Sequence, residues 1–367
     1  MMPASMESRY IWVILILVFG VFLANTTAVL IVDPQKVFGL VDVNCRNFEP
    51  NTRFLKAAYL RDHPEFDSFV LGSSRANAYS VDTAQQLVGG RFYNFTVGGD
   101  TPLGMLRKAE WLAENRQLTH LVVTFSFDDF IYSDAEQERA LEIEHPWVSQ
   151  SGWLKFWKPY LFGPYAHPLP VAQALYGNFI KKDDWYTFDI RTGHYDFPFF
   201  RRQMQKDPKA YVENRFYAPP MFERFSKSDS LKYLQSLIHL ARSKGIDLVV
   251  VINPDNHRTF LSFRPDAYRS WLTDIVRITG GVWDFSGLNA VTRSDAGYFE
   301  QRHFSELVGD EVLTRIFAPD SEIAQRHPDF GSWVTSDNLS ARLAALNSDW
   351  IDQGGRLMQL AQETDRK

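Results

Sequence analysis

Among 367 residues, three can be assembled into an acyl-transfer relay: Ser74, Glu300 and His303. A serine hydroxyl is a poor nucleophile until a base takes its proton, and an imidazole is a poor base until its tautomer is fixed. Glu300 and His303 stand three apart just before a predicted helix, a spacing that can set the carboxylate beside the ring nitrogen facing away from Ser74. Ser74 closes the run Phe66-Asp67-Ser68-Phe69-Val70-Leu71-Gly72-Ser73-Ser74-Arg75, a short apolar strand that stops at a glycine and delivers hydroxyls into a turn. An α/β sheet presents ligand-binding groups in this way at its carboxyl edge. Ser73, one residue earlier, suits a backbone hydrogen bond that shapes the turn, and is the alternative nucleophile to Ser74.

Other polar residues end the remaining predicted strands. Gly98 and Gly99 follow Phe92-Tyr93-Asn94-Phe95-Thr96-Val97, and adjacent glycines allow close backbone approach or positive φ with N–H groups turned to a ligand. Asp128 and Asp129 follow the strand 118–125, and Asn253, Asp255 and His257 follow the strand 245–252. Asn253, Asp255 and His257 are expected to line a pocket. Arg75 suits either an ion pair with Asp100, Asp128 or Asp129, or an anionic group on a substrate. Asp128, Asp129, Asp255 and His257 also have metal-ligand chemistry, but no two stand at a recognised metal spacing, so neither metal nor cofactor is assigned.

The elements that must bring these residues together read as strand, helix, strand, helix, strand from 66 to 125, resumed by a helix at 228–243 and strands at 245–252 and 281–285. This series predicts an α/β domain over 66–317, with a mainly parallel sheet covered by helices on both faces. Residues 132–227 interrupt it with Trp, Tyr, Phe and Pro and no sustained periodicity. They are expected to form an insertion over the carboxyl edge, walling a groove or seating against a partner or a membrane. Residues 33–65 read as a Pro-broken connector, and 318–367 as a helical, polar tail without chemistry.

Ile11 to Val32 carries no charge over about the 20 residues needed to cross a bilayer. It is longer than a usual signal-peptide core, so a retained anchor is expected, with residues 1–10 inside and the large domain outside. The one cysteine, Cys45, rules out an internal disulfide. A net charge of -5 gives no basic footprint for nucleic acid.

The motif set resembles the SGNH, or GDSL-like, hydrolase superfamily, in particular its membrane-anchored branch of DltD-like and alginate-acetylation-like proteins. The resemblance rests on Val70-Leu-Gly-Ser-Ser-Arg75, Tyr93-Asn-Phe-Thr-Val-Gly-Gly99, the strand ending at Phe127-Asp128-Asp129-Phe130, and Tyr298-Phe-Glu-Gln-Arg-His303 with Gly309. It covers roughly 60–135 and 228–317. It implies a three-layer flavodoxin-like fold, Ser74 as nucleophile, His303 as base, Glu300 as its orienting acid, and an oxyanion hole from the N–H groups of Ser74 and Gly98 or Gly99. It further implies O-acyl, in particular acetyl, transfer or ester hydrolysis on an extracytoplasmic polysaccharide or glycan. The setting would be the periplasmic side of a bacterial inner membrane, with an integral-membrane O-acyltransferase as partner. Two positions depart from the family: Glu300 stands where aspartate is usual, and Asp128 and Asp129 stand where a typical member offers an asparagine donor. These departures fit an alternative role as a noncatalytic, glycan-binding accessory component.

Overall fold

The computed structural model describes residues 6–40, 49–181, 185–216 and 230–364; Cys45 lies outside them. The apolar runs expected as strands are strands: β1 (Ser68–Leu71), β2 (Phe92–Asn94), β3 (His120–Phe125), then, beyond a short hairpin of β4 (Thr187–Phe188) and β5 (Tyr195–Asp196), β6 (Asp247–Ile252) and β7 (Val282–Asp284). A second small hairpin, β8 (Tyr298–Glu300) and β9 (His303–Phe304), precedes β10 (Ser332–Val334). Six strands form one sheet in the order β10-β7-β6-β3-β1-β2, parallel throughout except for β10 against β7. The chain runs from β1 outward to β2, then back across β1 to β3. The crevice beyond the carboxyl ends of β1 and β3 is therefore a switch point, where such sheets bind ligands.

Alternation along the strands divides the core. Phe69, Leu71, Leu121, Val123, Val250 and Ile252 point to one face, and Val70, Val122 and Val251 to the other. The first face is covered by Pro102–Asn115, Ser230–Ser243 and Pro265–Thr279, through residues such as Leu112, Leu237 and Ile275. The second is covered by Val81–Val88 and Glu306–Phe317, through Ala84, Val308 and Val312. Strands buried on both sides need the continuous apolar runs seen in the sequence. Each fully buried aliphatic side chain contributes about 1.5–3 kcal/mol.

Three findings refine the expected layout. The C-terminal stretch, read as a tail outside the domain, supplies the sixth strand and the long helix Leu339–Thr364, whose Leu346 and Trp350 join the core. Trp350 stacks on Phe260 with ring centroids 4.4 Å apart. The helix expected after the first strand is preceded by a 3-10 turn, Ser74–Ala78, and starts only at Val81. The insertion is built of short helices, chiefly Trp153–Phe162, Pro168–Tyr176, Pro198–Lys206 and Pro208–Arg215, around the β4–β5 hairpin. At the N-terminus, the helix Met6–Val32 holds a 24-residue stretch, Arg9–Val32, long and apolar enough by length and composition to cross a membrane.

Candidate active site

β1 ends at Leu71, and Gly72 passes so close to β3 that a Cβ there would lie 2.6 Å from the Thr124 hydroxyl and 2.7 Å from its carbonyl. The glycine lets the chain turn sharply and start the 3-10 turn at Ser74. Asn94, buried at the end of β2, then braces that turn. Its side-chain amide donates to the carbonyls of Ala76, Asn77 and Tyr79 at 3.2, 3.4 and 3.2 Å. From the other side, Gly309 lets the helix Glu306–Phe317 lie directly on the turn, because a Cβ at this position would collide with the Ala78 carbonyl.

The β8–β9 hairpin brings His303 to Ser74 across 229 residues of chain, with Ser74 Oγ 2.7 Å from His303 Nε2. His303 Nδ1 bonds the Glu300 carboxylate, which also accepts the Arg302 N–H at 3.2 Å. With Glu300 ionised, Nδ1 carries the proton, so Nε2 accepts from the serine hydroxyl. Burial pushes the Glu300 carboxyl up, but the His303 hydrogen bond and charge outweigh it and leave it below the ordinary carboxylate value. The extra methylene of glutamate therefore does not prevent contact with the imidazole.

Ser74, Glu300 and His303 line one cavity of about 480 Å³. Gly98 lines it too, whereas Gly99 takes φ +62° and makes the turn behind it. Among the described residues, the N–H groups of Ser74 and Gly98 have no hydrogen-bond acceptor. The Gly98 carbonyl is held from behind by Arg53 Nη2 at 2.6 Å. Arg53 in turn bonds Glu144, and Lys108 Nζ lies 2.9 Å from both Asp100 and Glu144, so a buried ion network fixes the glycine loop. The rest of the cavity wall was not assigned from sequence. Trp185, Tyr195, Phe197, Phe200, Arg201 and Arg215 come from the insertion, Phe299 and Phe304 from β8–β9, with Glu49, Asn77 and His194 beside them.

Six expected substrate contacts are elsewhere. Arg75, Asp128, Asp129, Asn253, Asp255 and His257 do not line the cavity. Arg75 is buried and grips Asp128 through both terminal nitrogens, at 2.7 and 2.6 Å, with Asp255 at 3.4 Å and Asp129 at 3.8 Å. Its Nε also donates to the Arg302 carbonyl at 3.1 Å, steadying the residue beside His303. Three of the residues weighed as metal ligands thus surround a guanidinium. Asp129 also accepts from the Ser126 N–H at 2.7 Å and the Ser73 hydroxyl at 3.3 Å, which ties Ser73 to the turn's scaffold. Asn253 accepts from the Tyr79 hydroxyl at 2.8 Å, and His257 Nδ1 is 3.3 Å from the Thr292 carbonyl. The third block therefore offers structural carboxylates and no amide donor to the cavity.

Burial, reinforced by Asp128 and Asp129, pushes the Asp255 carboxyl up to about 7 despite Arg75, and Asp129 rises to about 6. A carboxyl raised on folding binds its proton more tightly in the folded chain. Its stabilising contribution is complete below the ordinary carboxylate pKa and is lost as pH rises through about 7. Asp255→Asn, neutral at every pH, is expected to be more stable than wild type at pH 8, on the order of 1–3 kcal/mol, with the difference smaller at pH 5 and gone only below about pH 4. Denaturant titrations at the two pH values measure it.

Compared with known proteins, the chain matches no family model and no curated protein.

Proposed function

We propose that this protein is a membrane-anchored serine acyltransferase or esterase of the SGNH type, with the three-layer flavodoxin-like arrangement of that family. The observation that carries the reading is the Ser74–His303–Glu300 relay lining the same cavity as Gly98, with no acceptor among the described residues for the N–H groups of Ser74 and Gly98. Ser74 Oγ attacks an ester carbonyl while His303 Nε2 takes its proton. The negative charge that develops on the carbonyl oxygen is met by the N–H groups of Ser74 and Gly98. Collapse of the tetrahedral intermediate releases the alcohol, which leaves with the proton from Nε2, and the acyl group stays on Ser74. An incoming hydroxyl then gives its proton to Nε2 and attacks the acyl-serine, and the bond from the acyl carbon to Ser74 Oγ breaks as Nε2 returns the proton to Oγ. If that hydroxyl belongs to a sugar the outcome is transfer, and if it is water the outcome is hydrolysis.

The aromatic wall of Trp185, Tyr195, Phe197 and Phe299 supports a sugar ring as acceptor, since such faces stack on apolar ring surfaces while leaving hydroxyls free. We assign acetyl as the acyl group and an extracytoplasmic polysaccharide or glycan as acceptor. On this reading the domain works in the periplasm of a bacterial inner membrane, served by an integral-membrane O-acyltransferase. The test is to incubate the full-length protein with an activated acetyl ester and soluble oligosaccharides and weigh the sugars. Wild type is expected to add acetyl groups that Ser74→Ala does not. Free acetate alone would make the protein an esterase, and no turnover would remove the catalytic reading.

A further inference from the structure

The insertion is attached to the N-terminal helix along that helix's last third. The Phe22 and Phe162 rings stack with centroids 5.9 Å apart, Asn25 Nδ2 donates to the Ala166 carbonyl at 2.6 Å, and Val29 and Val32 are buried against Val171 and Ala174. From Phe22 to Val32 the helix rises about 15 Å. If Arg9–Val32 crosses a bilayer whose hydrocarbon is about 30 Å thick, these contacts lie within the leaflet at the Val32 end, not above it. Asn25 is a polar group inside an apolar span, and it finds its acceptor in the insertion, as hydrocarbon depth demands.

The outer surface of the same segment is apolar and uncovered. Leu154 is 88% exposed, Phe162 71%, Phe179 67% and Ile180 70%. These are large apolar side chains on a continuous stretch, 153–180, and a soluble surface rarely gathers them. The charge pattern completes the picture: from His145 to Lys182 there is no Asp or Glu, while Lys155, Lys158, Lys181 and Lys182 are present. Apolar and aromatic residues edged by lysine are what an interfacial segment needs to sit among acyl chains and anionic headgroups.

We propose that residues 153–181 form a platform embedded in the leaflet at the Val32 end of the anchor, with Leu154, Phe162, Phe179 and Ile180 among the lipid acyl chains. The proposal rests on Arg9–Val32 being a span. The platform has a direct route to the cavity. On the helix Thr52–Asp62, Phe54 stacks on Phe156 of the platform with centroids 5.1 Å apart, while its neighbour Arg53 holds the Gly98 carbonyl. Docking in lipid therefore fixes the height and tilt of the cavity relative to the membrane surface.

The test uses the full chain with Cys45→Ser, reconstituted in vesicles of phosphatidylcholine and phosphatidylglycerol. Single cysteines at Leu154→Cys, Phe162→Cys or Ile180→Cys carry a bimane fluorophore. Leu17→Cys serves as the control within the span, and Thr273→Cys, exposed on Pro265–Thr279, as the control on the domain. Nitroxide-labelled lipid is expected to quench the three platform sites at least half as strongly as Leu17→Cys, with iodide quenching at least threefold weaker than at Thr273→Cys. Iodide quenching equal to that at Thr273→Cys, with Leu17→Cys still lipid-quenched, would overturn the platform and leave the span intact. Shielding from both quenchers would overturn it in favour of a protein contact, such as a second copy. Loss of lipid quenching at Leu17→Cys would overturn both the span and the platform.

Discussion

His303→Ala is expected to lower kcat for an activated acetyl ester by about 10⁴-fold or more, with little change in KM. The imidazole touches the Ser74 hydroxyl through Nε2 and the Glu300 carboxylate through Nδ1, so its loss removes the base and strands both partners. Substrate binding, carried by the aromatic wall, should remain. Combining His303→Ala with Ser74→Ala should cost little beyond the more damaging single change, because the residues act as a unit. Glu300→Gln keeps the shape but removes the charge that holds the tautomer, and is expected to fall between wild type and His303→Ala. Additive losses in the double variant, measured by steady-state kinetics, would show that the residues do not share one relay.

Arg75→Met carries the largest expected stability loss. The guanidinium is buried among three carboxylates, with Asp128 paired through two hydrogen bonds, and its removal leaves that charge buried and uncompensated. Breaking a buried pair from one side costs about 3–5 kcal/mol, a large share of an ordinary domain's net stability. Asp128→Asn added to Arg75→Met should restore part of the loss, since the stranded charge goes with it. Activity should fall as well, because Arg75 Nε supports the Arg302 carbonyl next to His303. Urea titration of the wild type, the single variants and the pair measures the coupling. An unchanged midpoint in Arg75→Met would show that the carboxylates need no counter-charge.

The strands and the relay were legible because their signals are local. Val70-Leu71-Gly72 and Leu248 to Ile252 are short apolar runs with glycine or proline at their ends, and Glu300 and His303 meet across one tight hairpin. The cavity wall was not legible. Trp185, Phe197 and Arg215 face Ser74 from more than a hundred residues away, through an insertion with no period to read. Arg75 misled for a related reason: one guanidinium after a nucleophile has the same appearance in sequence whether it faces substrate or, as here, three buried carboxylates. Asn94 carried no visible role because its work is to hold three carbonyls of another turn. β10 was hidden by its length, three residues directly after Gly331; the tail was legible as helical, but the full reach of Leu339–Thr364 was hidden by Gly354 and Gly355, which the helix runs through.

The central claim is that Ser74 carries the acyl group, and intact-mass spectrometry of the full-length protein after exposure to an activated acetyl ester tests it most directly. A single added acetyl on the wild type, absent from Ser74→Ala and slow to form in His303→Ala, is the predicted result. Wild-type protein that stays unmodified across several acyl donors would contradict it, and would leave the aromatic cavity as a glycan-binding site without chemistry.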